Sequence, residues 1–212
     1  GATQGSGVVV EKEGSQYTIL TAWHVLKGNK PGEEISIFTV DGKNHITRLD
    51  AARRIAPFDL AEITFNSSDK YKIAKPGDVT QVKSGGNIYV AGFPHPSSAV
   101  PVSIYRFITG KVVANALGSN IPKGYELLYD NPTLPGMSGG PVMDTQGNLV
   151  GIHGQGETDA IMSVQSGVAV KTGTNQAIPV SYWKNTRKNL QNYAPSKIDT
   201  SLAKAVSFIN IP

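Results

Sequence analysis

The chain has 212 residues, no cysteine, and 20 Lys and Arg residues against 16 Asp and Glu residues, which gives a formal charge of +4. A chain of this length buries on the order of 70% of its unfolded surface, so it needs no disulfide, and the lack of cysteine excludes thiolate metal sites and cysteine nucleophiles. The charge is too small to indicate a nucleic-acid partner, and no apolar run approaches the roughly 18 residues of a transmembrane segment.

The first half of the chain contains short apolar runs that favour antiparallel strands. Glu13-Gly14-Ser15 separates the first two runs, and Asp41-Gly42 suits the tight turn of a second hairpin. Strands are therefore predicted at residues 7–10, 17–20, 35–40, 45–49 and 60–65.

The second half repeats this pattern after a polar segment, residues 66–86, that is typical of a connector between two units. Strands are predicted at residues 88–93, 101–108, 111–114, 125–129, 141–143, 149–152 and 166–170. Many short strands with close turn signals favour an all-β sandwich or barrels over alternating strands and helices.

The C-terminal segment, residues 181–212, predicts a basic helical tail docked on the body. Asp199 can cap a helix there. The apolar stripe of that helix consists of Leu202, Ala205, Val206 and Ile209. The segment holds the whole +4 excess of the chain, so it is a candidate contact surface for a partner or an additional domain.

The string Pro135-Gly136-Met137-Ser138-Gly139-Gly140-Pro141 encloses a serine with glycines between two predicted strands. Glycines allow a tight turn that exposes the hydroxyl and directs neighbouring backbone N–H groups at one point. This is the geometry of a serine nucleophile with an oxyanion hole. A glycine-rich turn in which the serine forms only a local hydrogen bond is the alternative.

A serine nucleophile needs a base and a carboxylate that orients the base. His24, in Thr21-Ala22-Trp23-His24, follows a predicted strand at the start of a short helical turn, and Asp59, in Phe58-Asp59-Leu60-Ala61, precedes another strand. Each residue alone is compatible with a structural role. With Ser138 they follow the order His, Asp, Ser, which favours a catalytic triad.

The three strings resemble the signature segments of trypsin-like serine proteases of the chymotrypsin fold, and they follow the same order. The resemblance implies an all-β fold of two six-stranded antiparallel β-barrels with the active site in the cleft between them. Residues 1–78 would form the barrel that carries His and Asp. Residues 79–180 would form the barrel that carries Ser and the substrate pocket, and residues 181–212 the helical tail.

The resemblance also implies a role for each site residue. Ser138 would be the nucleophile, His24 the general base and later acid, and Asp59 the orienting carboxylate. The backbone N–H groups of Gly136 and Ser138 would form the oxyanion hole. The substrate would be a polypeptide, and neither a metal nor a cofactor is expected.

Two further strings, Ile88-Tyr89-Val90-Ala91-Gly92-Phe93-Pro94 and Gly151-Ile152-His153-Gly154, are similar to those of bacterial glutamyl endopeptidases. Pro132 stands where a carboxylate would select Arg or Lys, so a basic preference is disfavoured. In that group a threonine or serine and a histidine, here Thr133 and His153, hold the acidic side chain of the substrate. Hydroxyl and imidazole groups can both donate to a carboxylate.

Gly154, Gln155 and Gly156 would form the extended edge that pairs with the substrate backbone. Two positions depart from digestive-type members of the family. Met137 replaces the acidic residue before the serine, so activation through an ion pair with a new N-terminus is not expected. Trp23 replaces a small residue before the histidine.

Two alternatives are kept. One is a protease-like module that is catalytically silent and serves binding or regulation. The other is an α/β-hydrolase-type esterase, although that fold requires a helix directly after the serine and the triad order Ser, acid, His. His45 and His95 are interpreted as surface residues, and the family implies a secreted, periplasmic or cell-envelope location.

Overall fold

A computed structural model describes residues 4–186 and 204–207 of the chain. Strands dominate the first half, and one short helix follows the second strand. The elements are β1 (Val8–Glu13), β2 (Gln16–Ala22), α1 (Trp23–Leu26), β3 (Glu34–Phe38), β4 (Asn44–Arg48), β5 (Ala52–Ile55) and β6 (Leu60–Asn66). Both predicted hairpins, β1 with β2 and β3 with β4, are confirmed.

Strands also dominate the second half, with two helices near its end. The elements are β7 (Asn87–Gly92), β8 (Arg106–Asn115), β9 (Leu127–Tyr129), β10 (Pro141–Met143), β11 (Leu149–Asp159), α2 (Ala160–Ser166), β12 (Val170–Pro179), α3 (Val180–Thr186) and β13 (Lys204–Ser207). Strands β7 to β12 close into an antiparallel barrel in the order β10-β11-β12-β9-β8-β7. The all-β class and a six-stranded barrel in the second half are therefore confirmed.

The strands of the first half pair as two sheets, where a second closed six-stranded barrel was expected. One sheet has the order β1-β2-β6-β5, and the other has the order β13-β3-β4. The short 3-10 turn Leu49–Ala51 lies between β4 and β5 and carries the chain from one sheet to the other. Both sheets contribute to one apolar core, in which Tyr17, Ile35 and Ile63 are fully buried.

Two strand predictions in the second half are wrong in position. β8 is one continuous strand where two were predicted, and it begins only at Arg106. Residues 166–170, predicted as a strand, contain the end of α2. Asp159 caps this helix by accepting a 2.7 Å hydrogen bond from the N–H of Met162, and Gly167 ends it with a φ of 70°. The caps at Asp159 and Gly167 therefore determine that a helix ends in this segment, where a strand was predicted.

The predicted C-terminal helix is wrong at Lys204–Ser207, which form β13 and pair in parallel with β3. The edge of β3 supplies backbone hydrogen bonds to this segment, so tertiary pairing overrides the helical spacing of its apolar residues. The tail begins with α3 as expected. Residues 187–203 and 208–212 lie outside the described residues, as does the predicted cap Asp199. Contact between the tail and a further partner stays a prediction.

One apolar cluster joins the two halves. Its members from the first half include Val8, Leu20 and Leu60, and those from the second half include Leu149, Ile152, Ile178 and Trp183. Because these residues are buried together, the ends of β2, β6 and β11 lie close to one another. The candidate site residues follow or precede these strand ends. Within the described part of the chain, no helix has the length and apolar character needed to cross a membrane.

Candidate active site

His24 and Asp59 meet because β2 and β6 are neighbours in one sheet. Ala22, the last residue of β2, pairs with Leu60, the first residue of β6. The carboxylate of Asp59 accepts hydrogen bonds from both the ring Nδ1 and the backbone N–H of His24, each at 2.8 Å. Nδ1 is therefore the protonated ring nitrogen, and Nε2 is left as the proton acceptor. The His24 side chain is 31% exposed and that of Asp59 9%, so the imidazole is open to a substrate.

Tyr125 is a further residue of this site that the sequence analysis missed. Its hydroxyl donates to Oδ2 of Asp59 at 2.5 Å, although the two residues are 66 positions apart. Burial alone would raise the pKa of Asp59, but the hydrogen bonds from His24 and Tyr125 and the charge of His24 lower it. Burial and the adjacent carboxylate raise the pKa of Tyr125, so its hydroxyl stays protonated and remains the donor.

The serine turn docks directly on the end of β2, next to α1. The N–H of Ser6 donates to the carbonyl of Ser138 at 2.7 Å. A Cβ placed on Gly139 would lie 2.0 Å from the carbonyl oxygen of Ser6 and 2.2 Å from Oγ1 of Thr21. Only a residue without a side chain fits this contact. The turn therefore approaches the residues that precede His24.

The hydroxyl of Ser138 donates to the carbonyl oxygen of Gly154 at 2.8 Å. Gly136 has a φ of 95°, and a Cβ there would lie 2.7 Å from the backbone N of His95, so this position also requires glycine. Within residues 4–186, no backbone hydrogen bond uses the N–H of Gly136 or of Ser138 as donor. These two N–H groups are therefore not used by the backbone of this segment, although Gly136 itself is buried.

His153, which is predicted to hold the acidic side chain of the substrate, is only 3% exposed. Burial lowers its pKa to about 3, and the charges of His24 and Lys171 act in the same direction, so the imidazole is neutral at neutral pH. Its Nδ1 lies 2.6 Å from the hydroxyl of Tyr129. Burial raises the pKa of Tyr129 well above its ordinary value, so its hydroxyl keeps its proton and is able to donate to Nδ1. When it does so, the proton of the neutral imidazole is on Nε2 of His153.

Thr133 is half-buried, and its hydroxyl donates to Oδ1 of Asn175 at 2.8 Å. The amide of Asn175 in turn donates to the carbonyl of Asn131 at 2.6 Å. The Thr133 hydroxyl is therefore held as a donor within the protein. Its oxygen is still able to accept a hydrogen bond.

The predicted substrate edge, Gly154 to Gly156, belongs to β11. β10 pairs with β11 only as far as Ile152, while β12 continues to pair with Gln155 and Gly156 on the other side. Among the described residues, the side of Gln155 and Gly156 away from β12 has no strand neighbour. An extended peptide can add there as a further strand.

The positions that depart from the digestive-type pattern have structural explanations. Met137 is fully buried in the core of the barrel and packs closely against Gly92. Trp23 packs against the core of the first half, and the guanidinium of Arg54 lies 5.7 Å from the centre of its ring. Burial and a cation–π contact therefore accommodate the large aromatic side chain.

Of the two histidines that were interpreted as surface residues, only His95 is exposed. His45 is half-buried, and its Nε2 lies 2.8 Å from the hydroxyl of Tyr71. Its ring also packs 4.8 Å from that of Phe65. His45 is thus part of an aromatic cluster in the first half, and the interpretation as an exposed surface residue holds only for His95.

The α/β-hydrolase alternative is wrong. β10 begins at Pro141, shortly after Ser138, and continues the barrel where that fold requires a helix.

The chain is similar in sequence to known proteins and in fold to solved structures. The proteins "Serine protease Do-like HtrA" and "Serine protease Do-like HtrB" of Bacillus subtilis are each 25% identical over 151 residues, which are 70% of this chain and 32% of each relative. The chain thus spans about a third of the length of these relatives. The structure "HtrA-type protease AlgW with tripeptide" is similar with a TM-score of 0.62 and 23% identity, covering 89% of this chain and 57% of that chain.

A second structure, "HtrA-type protease AlgW with decapeptide", has a TM-score of 0.61 and 22% identity, covering 87% of this chain and 50% of that chain. Identities this low show the fold alone. The sequence profile described as "Trypsin-like peptidase domain" matches residues 5–152, which is more than half of the chain. The chain therefore belongs to the trypsin-like peptidase domain family.

Proposed function

We propose that this chain is a serine endopeptidase that hydrolyses peptide bonds through an acyl-enzyme intermediate. Ser138 is the nucleophile, His24 the general base and later acid, and Asp59 the carboxylate that orients the imidazole. The observation that carries the proposal is the hydrogen-bonded pair of buried Asp59 and partly exposed His24, with the glycine-enclosed serine docked against the strand that leads to His24. Membership of the trypsin-like peptidase domain family supports the same assignment.

The reaction follows from these groups. The Ser138 hydroxyl first turns about its Cα–Cβ bond from the carbonyl of Gly154 towards Nε2 of His24. Oγ then attacks the carbonyl carbon of the substrate while Nε2 takes the hydroxyl proton. The C–N bond breaks, His24 passes the proton to the leaving amine, and water hydrolyses the ester on Ser138 with His24 again as base. The N–H groups of Gly136 and Ser138 donate to the carbonyl oxygen as it gains negative charge.

Labelling with a fluorophosphonate tests this function directly. We expect the folded protein to form a covalent adduct at Ser138, because an activated serine attacks phosphorus as it attacks a carbonyl carbon. Mass spectrometry of the intact chain and of its peptides locates the adduct, and Ser138→Ala is the control. A correctly folded protein without an adduct would support the alternative of a catalytically silent binding or regulatory module.

We further propose a preference for substrates with glutamate before the cleaved bond. The proton on Nε2 of His153 makes the neutral imidazole a donor to a carboxylate. A neutral imidazole supplies no positive charge, but Lys171 is exposed beside the pocket. A Cβ placed on Gly156 would lie 3.8 Å from both Cδ and Cε of Lys171. The lysine side chain therefore runs along the predicted substrate edge, where its ammonium can face the acidic group. The hydroxyl of Thr133 donates to Asn175, so it must turn away from Asn175 before it can donate to the same group.

Matched peptides that differ only in Glu or Gln before the cleaved bond test this preference. We expect kcat/KM to be at least about tenfold higher for Glu, because hydrogen bonds to a charged acceptor are roughly twice as strong as neutral ones. Lys171→Met is expected to lower the Glu rate about fivefold and to leave the Gln rate unchanged. Lys184→Met, an exposed lysine on α3, is the control.

The pH dependence of the ratio of kcat/KM for the Glu and Gln peptides shows which group supplies the positive charge next to the substrate carboxylate. Since the pKa of His153 is lowered to about 3, we expect a constant ratio between about pH 5.5 and 8. The ratio falls only at more acid pH, as the substrate carboxyl takes up a proton near about pH 4.3. A ratio that falls as the pH rises through about 6.5 would show that a protonated histidine reads the carboxylate, and equal rates for Glu and Gln would contradict the preference itself.

A further inference from the structure

The loop before β9, residues 123–125, holds two residues of the other half of the molecule. The backbone N–H of Asp59 donates to the carbonyl of Lys123 at 3.1 Å. Gly124 packs on the ring of Phe58 so closely that a Cβ there would lie 2.6 Å from Cδ1 of Phe58. Tyr125 then donates its hydroxyl to Oδ2 of Asp59 at 2.5 Å. Three consecutive residues of the second half thus contact the segment that carries the triad carboxylate.

The backbone of this loop is unusual and is adapted to these contacts. Lys123 has a φ of 64° and Gly124 a φ of 82°, so two consecutive residues adopt the left-handed conformation. A lysine rarely does so, and such residues persist where the surrounding structure determines them. Here the hydrogen bond from Asp59 and the contact with Phe58 hold Lys123 and Gly124 in this conformation. The conformation brings the Tyr125 side chain, 2% exposed, into the apolar cluster between the halves.

The carboxylate of Asp59 receives three donors. Oδ1 accepts from the backbone N–H of His24, whereas Oδ2 accepts from both Nδ1 of His24 and the hydroxyl of Tyr125. With only the two bonds from His24, a single residue would fix the position of the Asp59 carboxylate. The third bond comes from Tyr125 of the second half, whose buried and closely packed ring has little freedom to move.

We propose that Tyr125 is a positioning residue for the reaction: its hydroxyl holds Asp59 in the orientation that aligns His24, and it does so across the boundary between the two halves. This inference rests on the proposed peptidase function. It means that the triad is complete only when the second half is docked on the first, because the second half supplies both the nucleophile and a donor to the acid.

The ring of Tyr125 fills the space that a side chain at position 154 would occupy. A Cβ placed on Gly154 would lie 2.0 Å from Cε1 and 2.6 Å from Oη of Tyr125. Any side chain at position 154 therefore competes with the tyrosine ring for one space. Conversely, a serine at position 154 is expected to approach Oδ2 of Asp59 when that ring is removed, because Oη of Tyr125 is 2.6 Å from the Cβ position and 2.5 Å from Oδ2.

Tyr125→Phe in the full chain tests the proposal, since it keeps the ring and removes the hydroxyl. We expect kcat to fall about 10- to 100-fold, the effect of losing a hydrogen bond to a charged group, while KM changes less than about twofold. The acid limb of the kcat profile is expected to move to higher pH, because a carboxylate with one donor fewer holds the imidazole proton more tightly. The control is Tyr182→Phe, which removes a 2.5 Å bond to the carboxylate of Glu126 and no bond to the triad, while its ring keeps its stacking contact with Phe58.

A rescue experiment covers the case in which removal of the hydroxyl only loosens the fold. Tyr125→Ala is expected to lose at least as much activity as Tyr125→Phe, and the Tyr125→Ala/Gly154→Ser variant is expected to regain about tenfold by supplying a hydroxyl from the opposite side. An unchanged kcat and pH profile in Tyr125→Phe, with a loss of thermal stability equal to that of Tyr182→Phe, would overturn the proposal. Wild-type protein that forms no fluorophosphonate adduct would instead contradict the peptidase function.

Discussion

Replacing Ser138 by alanine, His24 by alanine, or both is expected to lower kcat/KM by about the same factor, roughly 10⁴ to 10⁶ in each case. His24 takes the proton of the Ser138 hydroxyl as Oγ attacks the substrate. Because both residues take part in this one step, losing either residue removes the step, and losing the second as well costs little more. The donors at Gly136 and Ser138 are backbone groups, so they survive these substitutions and leave a residual rate.

Rates with a peptide substrate for the two single variants and the double variant measure this coupling. Ser119→Ala, at an exposed serine outside the site, is the matched control and is expected to keep full activity. Thermal unfolding of each variant verifies that the fold is intact. Losses that add in the logarithm of the rate, so that the double variant is far worse than either single one, would mean that Ser138 and His24 do not act as one unit.

Gly139→Ala is expected to destabilise the fold by more than about 4 kcal/mol, at the upper end of what single substitutions do. Two costs combine. Gly139 has a φ of 89°, which disfavours any L side chain. The added Cβ would also lie 2.0 Å from the carbonyl of Ser6 and 3.1 Å from the N of Ala22. Both are backbone atoms. Ala22 belongs to β2, and the carbonyl of Ser6 accepts a hydrogen bond from the hydroxyl of Thr21 in the same strand, so neither can move aside cheaply.

Gly147→Ala separates these two costs. Gly147 has a φ of 77°, but a Cβ there meets no atom within 4 Å. This control is expected to lose only about 1 to 2 kcal/mol, the cost of the left-handed conformation alone. Denaturant unfolding of the two variants gives the difference. Equal losses would mean that the serine turn does not press on the first half as closely as the structure has it, which would also weaken the proposed alignment of Ser138 with His24.

The strings around His24, Asp59 and Ser138 were enough to predict the fold class and the family. A nucleophile turn needs glycines next to the serine, and the histidine and aspartate must lie at the ends of neighbouring strands. These requirements act on adjacent residues, so they are visible in short strings. The roles of His24, Asp59 and Ser138, as well as those of Thr133 and His153, stay predictions that the experiments above address.

Other parts of the chain could not be predicted from local patterns. The stripe that contains Ala205 and Val206 has helical spacing, but the segment pairs with β3 because that edge is available in the folded protein. Residues 166–170 have strand-like composition, yet Gly167 ends a helix there. In both cases the competing interaction, a partner strand or a capped helix end, outweighs an average preference of the residues.

The amino-acid sequence by itself determined the β-rich class and the family and suggested the candidate triad, since the requirements of turns and short motifs act between neighbours in the chain. Only the tertiary structure decided what surrounds the triad: the hydroxyl of Tyr125 on Asp59, the neutral state of His153, and the lysine beside Gly156. Those features depend on burial and on contacts between residues far apart in the chain, and both exist only after the two halves have packed together.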